Sequence, residues 1–110
     1  MADGRCVFEL TIRPELMNPH GVVHGGVIYT LVDYAMGGAL TSLLEPGERC
    51  ATLEVKINYL AAAVSGNLRA EASVVSRSRR VAVMEARVYA DAQRLIALAT
   101  GSFYIQNRSG

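Results

Sequence analysis

The chain has 110 residues and is 51% apolar, too rich for a disordered segment and short enough for one domain over residues 1–110. Its formal charge is +1, far from the strong basic excess of a nucleic-acid footprint. No run of about 18 apolar residues that could span a bilayer occurs.

Ten of the eleven basic residues are Arg, and Lys56 is the only Lys. Arg suits phosphate and carboxylate recognition, but a skewed genome composition gives the same bias. Cys6 and Cys50 show no metal-ligand spacing, so a pair of buried thiols is expected. The start, Met-Ala-Asp-Gly-Arg, has no apolar run or cleavage pattern, which points to a cytoplasmic protein.

Residues 6–13 alternate, with Phe8, Leu10 and Ile12 on one face and Glu9, Thr11 and Arg13 on the other. A period of two predicts a half-buried strand. Pro14 ends it, and 14–26 reads as a loop carrying Pro19, Gly21, Gly25 and Gly26.

From Gly26 the period changes. Val27, Ile28, Leu31, Val32, Ala35, Met36, Ala39, Leu40 and Leu43 recur at helical spacing, to about Leu44 before Pro46-Gly47. The opposite face holds Tyr29, Ala and Gly instead of many charges, so the helix must be mostly enclosed. Four strands are predicted after it, over 49–60, 67–76, 80–91 and 94–105. Turn signals separate them at Ser65-Gly66-Asn67, from Ser76 to Arg79 and from Asp91 to Arg94. In 49–60, Ala51, Leu53, Val55, Ile57 and Tyr59 alternate with Thr52, Glu54, Lys56 and Asn58. The order βαββββ describes an α+β domain with one helix on an antiparallel sheet of about five strands. A sheet edge and part of the helix stay uncovered in so small a domain, which favours a homo-oligomer.

The informative segment is Asn18-Pro-His-Gly-Val-Val-His24-Gly25-Gly26, leading into the helix that carries Asp33. The first amides of a helix lack internal partners and carry the positive end of its dipole. Glycines there let a ligand oxygen approach closely, as an oxyanion would. For a lone His-Gly-Gly, a tight turn without ligand is the commoner outcome. Asp33 is the only acid between Glu15 and Glu45, and it shares one helical stripe with Gly26, Thr30 and Gly37. A carboxylate among apolar residues is costly. It reads about equally well as a base or nucleophile and as a hydrogen-bonded structural Asp.

Taken together, Asn18-x-x-Gly21-x-x-His24-Gly25-Gly26, then Asp33 nine residues after His24, resemble the hotdog-fold thioesterases of the phenylacetic-acid-degradation (PaaI-like) type. The run Thr52-Leu-Glu-Val-Lys-Ile-Asn58-Tyr59-Leu60, Gly66 at the next turn, and Ala97 to Gly101 extend the resemblance over nearly the whole chain. It implies a hotdog fold and hydrolysis of an acyl-CoA thioester, without metal or cofactor. Asp33 would be general base or nucleophile, and the Gly25 amide would polarise the thioester carbonyl. Asn18 would hold that carbonyl or the attacking water, His24 would support the loop and also the thioester, and Thr52 would orient water. The family places the site between two subunits, in a homodimer or a homotetramer formed as a dimer of dimers. The N-terminal extension found in many relatives does not precede the first strand here, which would leave one side of the acyl pocket more open.

Three further assignments rest on weaker signals. Arg77, Arg79 and Arg80 at one turn could anchor the phosphates of coenzyme A, though a solvated turn is the commoner fate of such a cluster. Gly26 and Tyr59 are candidates for substrate contact. Tyr59 and Met36 could line an acyl pocket, with core packing the more frequent role. His20, between Pro19 and Gly21, reads as a loop residue. The competing functions are a hotdog hydratase or dehydratase acting on acyl thioesters, a non-catalytic acyl-CoA-binding module, and a ligand-free dimerisation domain. In the hydratase branch the His sits in a Phe/Pro-Gly context, so the Gly-Gly after His24 favours hydrolysis.

Overall fold

The computed structural model describes residues 1–91 and 93–107. Strand β1 (Arg5–Thr11) leads through a 3-10 turn (Pro14–Leu16) and a loop into helix α1 (Gly25–Thr41). Strands β2 (Glu48–Tyr59), β3 (Asn67–Arg77), β4 (Val81–Ala90) and β5 (Arg94–Asn107) follow. Ala92, in the turn expected from Asp91 to Arg94, lies outside the described residues. All pairings are antiparallel, in the order β1-β3-β4-β5-β2. This is the hotdog arrangement, with the sheet curled around one helix that touches all five strands.

The periodicities explain the layers. Ile28, Leu31, Val32, Ala35, Met36, Ala39 and Leu40 form the buried stripe of α1. Strand β4 alternates without error, burying Ala82, Met84, Ala86, Val88 and Ala90. Small residues beneath the helix let it approach closely. Each buried Leu or Met contributes about 1.5–3 kcal/mol by leaving water. Gly101 on β5 makes room for Met36, since a Cβ there would stand 2.7 Å from its sulfur.

The helix stops at Thr41, three residues earlier than the sequence pattern suggests. Ser42 accepts the Gly4 amide at 2.8 Å and donates to the Ala39 carbonyl at 2.7 Å, so its hydroxyl ties the helix end to the turn before β1. Leu43 and Leu44 then bond three residues back, to Leu40 and Thr41, as a tighter turn.

Strand β2 departs from the expected alternation. A β-bulge at Leu53 breaks its register with β5, so Thr52 stands opposite Phe103 and Val55 opposite Gly101. A bulge puts two residues against one and shifts the faces by one position. Glu48, Cys50 and Thr52 therefore face the helix before the bulge, and Val55, Ile57 and Tyr59 after it. Leu53 is left 59% exposed. Strands β1 and β2 are the two edges, and β2 presents a long unpaired rim.

Candidate functional site

Asp33 lies on the stripe of α1 that faces away from the sheet centre, half-buried beside the exposed Tyr34. The Thr52 hydroxyl donates to Asp33 Oδ1 at 2.8 Å. The bulge makes this contact, because without it Thr52 would point away from the helix. Asp33 has no cationic partner among the described residues, whose ion pairs are Arg69–Glu71, Arg77–Glu48, Arg87–Glu85 and Arg94–Asp91. One carboxylate with one hydroxyl donor and free lone pairs can hold water or take a proton.

A cavity of about 610 Å³ opens beside Asp33, walled by Phe8, Tyr34, Gly37, Thr41, Cys50 and Phe103. Phe8 and Tyr34 meet with ring centroids 6.2 Å apart. Both cysteines are free thiols, Cys6 buried and Cys50 only half-buried. Burial pushes the Cys50 thiol up, a hydrogen bond with Thr41 opposes this, and the Asp33 charge adds to it. Cys50 is thus a poor nucleophile beside the carboxylate.

The loop before α1 is organised by Asn18. Its Oδ1 accepts the His20 amide at 2.9 Å and the Val22 amide at 3.2 Å, an Asx turn closed by Gly21 at φ +80°. Its backbone exchanges bonds with Val22 and Gly21. The side-chain oxygen is therefore committed to the loop, and only Nδ2 is left to meet a ligand. His20 is an exposed loop residue, as the sequence suggests.

His24 is the N-cap residue of α1 and makes no side-chain cap bond. Its carbonyl accepts the Val27 amide at 3.1 Å, which turns the Gly25 N–H outward at the helix end. Its exposed side chain stands at an apolar cavity of about 580 Å³ lined by Leu10, Leu16, Val27 and Leu31. The Gly25 and Gly26 amides have no acceptor among the described residues. A Cβ on Gly26 would meet nothing within 4 Å, so that face is open. Tyr59 reaches the same helix end and donates from its hydroxyl to the Gly25 carbonyl at 2.8 Å. The sequence pattern offered substrate contact or core packing for Tyr59 and missed this bond, which depends on where β2 ends relative to α1.

The sequence-assigned residues thus fall into two groups in one chain. Asp33 and Thr52 form one; Asn18, His24, Gly25, Gly26 and Tyr59 form the other. Eight helical steps, a rise of about 12 Å, separate Gly25 from Asp33. Arg79 and Arg80 form a third place, in a cleft with Tyr104 and Gln106, where Arg80 donates to the Tyr104 hydroxyl at 3.3 Å. Tyr104 alternates with the buried Phe103 and Ile105, so this cleft lies on the opposite side of the sheet from Asp33. Arg77 does not belong to it. Its guanidinium grips Glu48 at 2.9 and 3.0 Å and the Leu43 carbonyl at 2.9 Å, a structural tie between β3, β2 and the end of α1.

No helix among the described residues is long and apolar enough to cross a membrane. Residues 20–97 match the model of the Thioesterase superfamily. The chain is 36% identical over 108 residues to a protein of Archaeoglobus fulgidus that carries a provisional esterase name, covering 97% of this chain and 68% of that one. A conserved Pseudomonas aeruginosa protein superposes with a TM-score of 0.91 at 36% identity, over 96% of this chain and 83% of the other. A Bacillus halodurans protein crystallised with CoA gives a TM-score of 0.88 at 37% identity, over 92% and 67%. The fold agrees with these likenesses, and the chain belongs to the thioesterase superfamily.

Proposed function

We propose that this chain is a single hotdog domain of the PaaI-like type that hydrolyses an acyl-CoA thioester to a free acid and coenzyme A. The observation that carries this reading is the Thr52–Asp33 bond, which holds a carboxylate with free lone pairs at the mouth of a mostly apolar cavity. The unbonded amides of Gly25 and Gly26 supply the complementary half, donors at the positive end of a helix. A thioester is already activated, so a carboxylate and aligned amides suffice for the chemistry. Asp33 acts as general base on water or as nucleophile, with Thr52 orienting the water. Asn18 donates from Nδ2 to the carbonyl or the water, and His24 shapes the loop.

The two halves meet across a two-fold axis. Strand β2 carries a contact to each of them, Thr52 to Asp33 and Tyr59 to Gly25, seven residues apart. If the exposed rims of two β2 strands pair antiparallel about Lys56, with Leu53 bulged out as it is against β5, Thr52 of one copy stands opposite Tyr59 of the other. Directly opposed residues lie about 4.5–5.5 Å apart. Each site then takes its carboxylate from one chain and its amides from the second, in a homodimer or a dimer of dimers in the cytoplasm. CoA in the Bacillus halodurans relative supports the thiol portion of the substrate. A Listeria monocytogenes relative, 24% identical over 105 residues, is named 1,4-dihydroxy-2-naphthoyl-CoA hydrolase, which supports hydrolysis of a CoA thioester. The pantetheine arm of coenzyme A is long and flexible, and Arg79 and Arg80 are the candidate anchors for its phosphates.

The test is thiol release from a panel of aryl and aliphatic acyl-CoAs by wild type and Asp33→Asn. Loss of the carboxylate lowers kcat at least about 100-fold with folding intact. Full activity in the variant overturns the mechanism. No release by wild type from any substrate, with hydration of an enoyl-CoA instead, overturns the hydrolase reading in favour of a hydratase.

A further inference from the structure

We infer that Tyr59 is a positioning residue that fixes the direction of the Gly25 and Gly26 amides, and is not part of the acyl pocket; this rests on the thioesterase reading. Two consecutive glycines open α1, and glycine has the widest backbone freedom of any residue. Amides meant to meet a developing negative charge are effective only when they are held in place beforehand. A freely swinging Gly-Gly would lose that advantage.

The structure braces two successive peptides, Gly25–Gly26 and Gly26–Val27. The Tyr59 hydroxyl donates to the Gly25 carbonyl at 2.8 Å. A trans peptide is planar, so fixing that carbonyl fixes the Gly26 N–H, which points the opposite way. The Tyr59 ring also lies against the Gly25 Cα. A Cβ at Gly25 would approach the ring and its hydroxyl to 3.3 Å, tighter than most real contacts. Ring and hydroxyl together limit rotation at both bonds of Gly25. The Thr30 hydroxyl donates to the Gly26 carbonyl at 2.9 Å and braces the next peptide in the same way. The glycine at position 25 is thus required twice, for the approach of a ligand and for the approach of Tyr59.

Tyr59 can do this because of its place on β2. It pairs with Ala97, whose side chain is too small to fill the space above it. The tyrosine therefore leans over the helix end, and it stays 50% exposed. Among the described residues its hydroxyl bonds the Gly25 carbonyl and no core group.

The experiment compares wild type with Tyr59→Phe, which keeps the ring and removes the hydroxyl. Steady-state thiol release and backbone ¹⁵N order parameters are measured on both. A positioning role lowers kcat about fivefold, the rate equivalent of one neutral hydrogen bond, and leaves KM and Tm unchanged. The order parameters of Gly25 and Gly26 fall from about 0.85 toward 0.6. A raised KM with unchanged kcat makes Tyr59 a substrate contact and overturns the inference, as does unchanged kcat with unchanged order parameters. If wild type releases no thiol, the thioesterase reading fails by itself, and the order parameters alone decide whether Tyr59 holds the glycines.

Discussion

Thr52 and Asp33 are joined by a 2.8 Å hydrogen bond between an edge strand and the central helix, and a β-bulge at Leu53 makes the bond geometrically available. The bond lies at the surface of the cavity, so its contribution to stability is small. Its effect is on orientation, because it directs one oxygen of Asp33 and leaves the other free.

Thr52→Val keeps the shape and removes the donor. The expected result is a fall in kcat of about tenfold, since a hydrogen bond to a charged group is worth about 1.5–3 kcal/mol and this one is partly solvated. Thr52→Ser should stay within about twofold of wild type, by the same hydrogen-bond argument. Thermal melts of both variants should match wild type. A Thr52→Val enzyme with full kcat would remove the hydroxyl from the mechanism.

Asn18 presents two functions in one side chain, and substitutions can separate them. Oδ1 holds the His20 and Val22 amides, while Nδ2 has no acceptor among the described residues. Asn18→Asp keeps an acceptor for the turn and loses the donor. It should melt like wild type and lose about tenfold in kcat/KM, the value of one lost donor at a charged centre. Asn18→Ala loses both and should also show faster amide exchange at Val22. If Asn18→Asp is fully active, the residue serves the loop only.

Much of the fold was legible because its signals are local. The period change at Gly26, the alternation of β4 and the turn residues between strands mark the elements directly. Asp33 stood out as a lone carboxylate on an otherwise apolar helix. The bulge at Leu53 left no such mark, since Ala51, Leu53 and Val55 alternate as well as Thr52 does, and only pairing with β5 decides which set faces inward. Arg77 looked equivalent to Arg79 and Arg80 in sequence. Its partners, Glu48 and the Leu43 carbonyl, come from segments 29 and 34 residues away. Tyr59 met its partner across a similar separation, 34 residues. Residues whose roles depend on such distant contacts cannot be assigned from spacing alone.

The Arg77–Glu48 pair gives a pH prediction whose direction follows from its partners. The Glu45 amide, at 2.8 Å, and then the Arg77 guanidinium hold the Glu48 carboxyl below its ordinary value of 4.5. A carboxylate lowered in the folded state adds stability above its unfolded pKa and loses it as pH falls through the folded value. Glu48→Gln should therefore melt a few degrees below wild type at pH 7. The gap should close as the pH drops below about 4.5, the range in which free glutamate takes up its proton. Melting curves from pH 7 to pH 3 measure this, and a gap that stays constant or widens in acid would show that the ion pair contributes nothing to holding β2 and β3 against the end of α1.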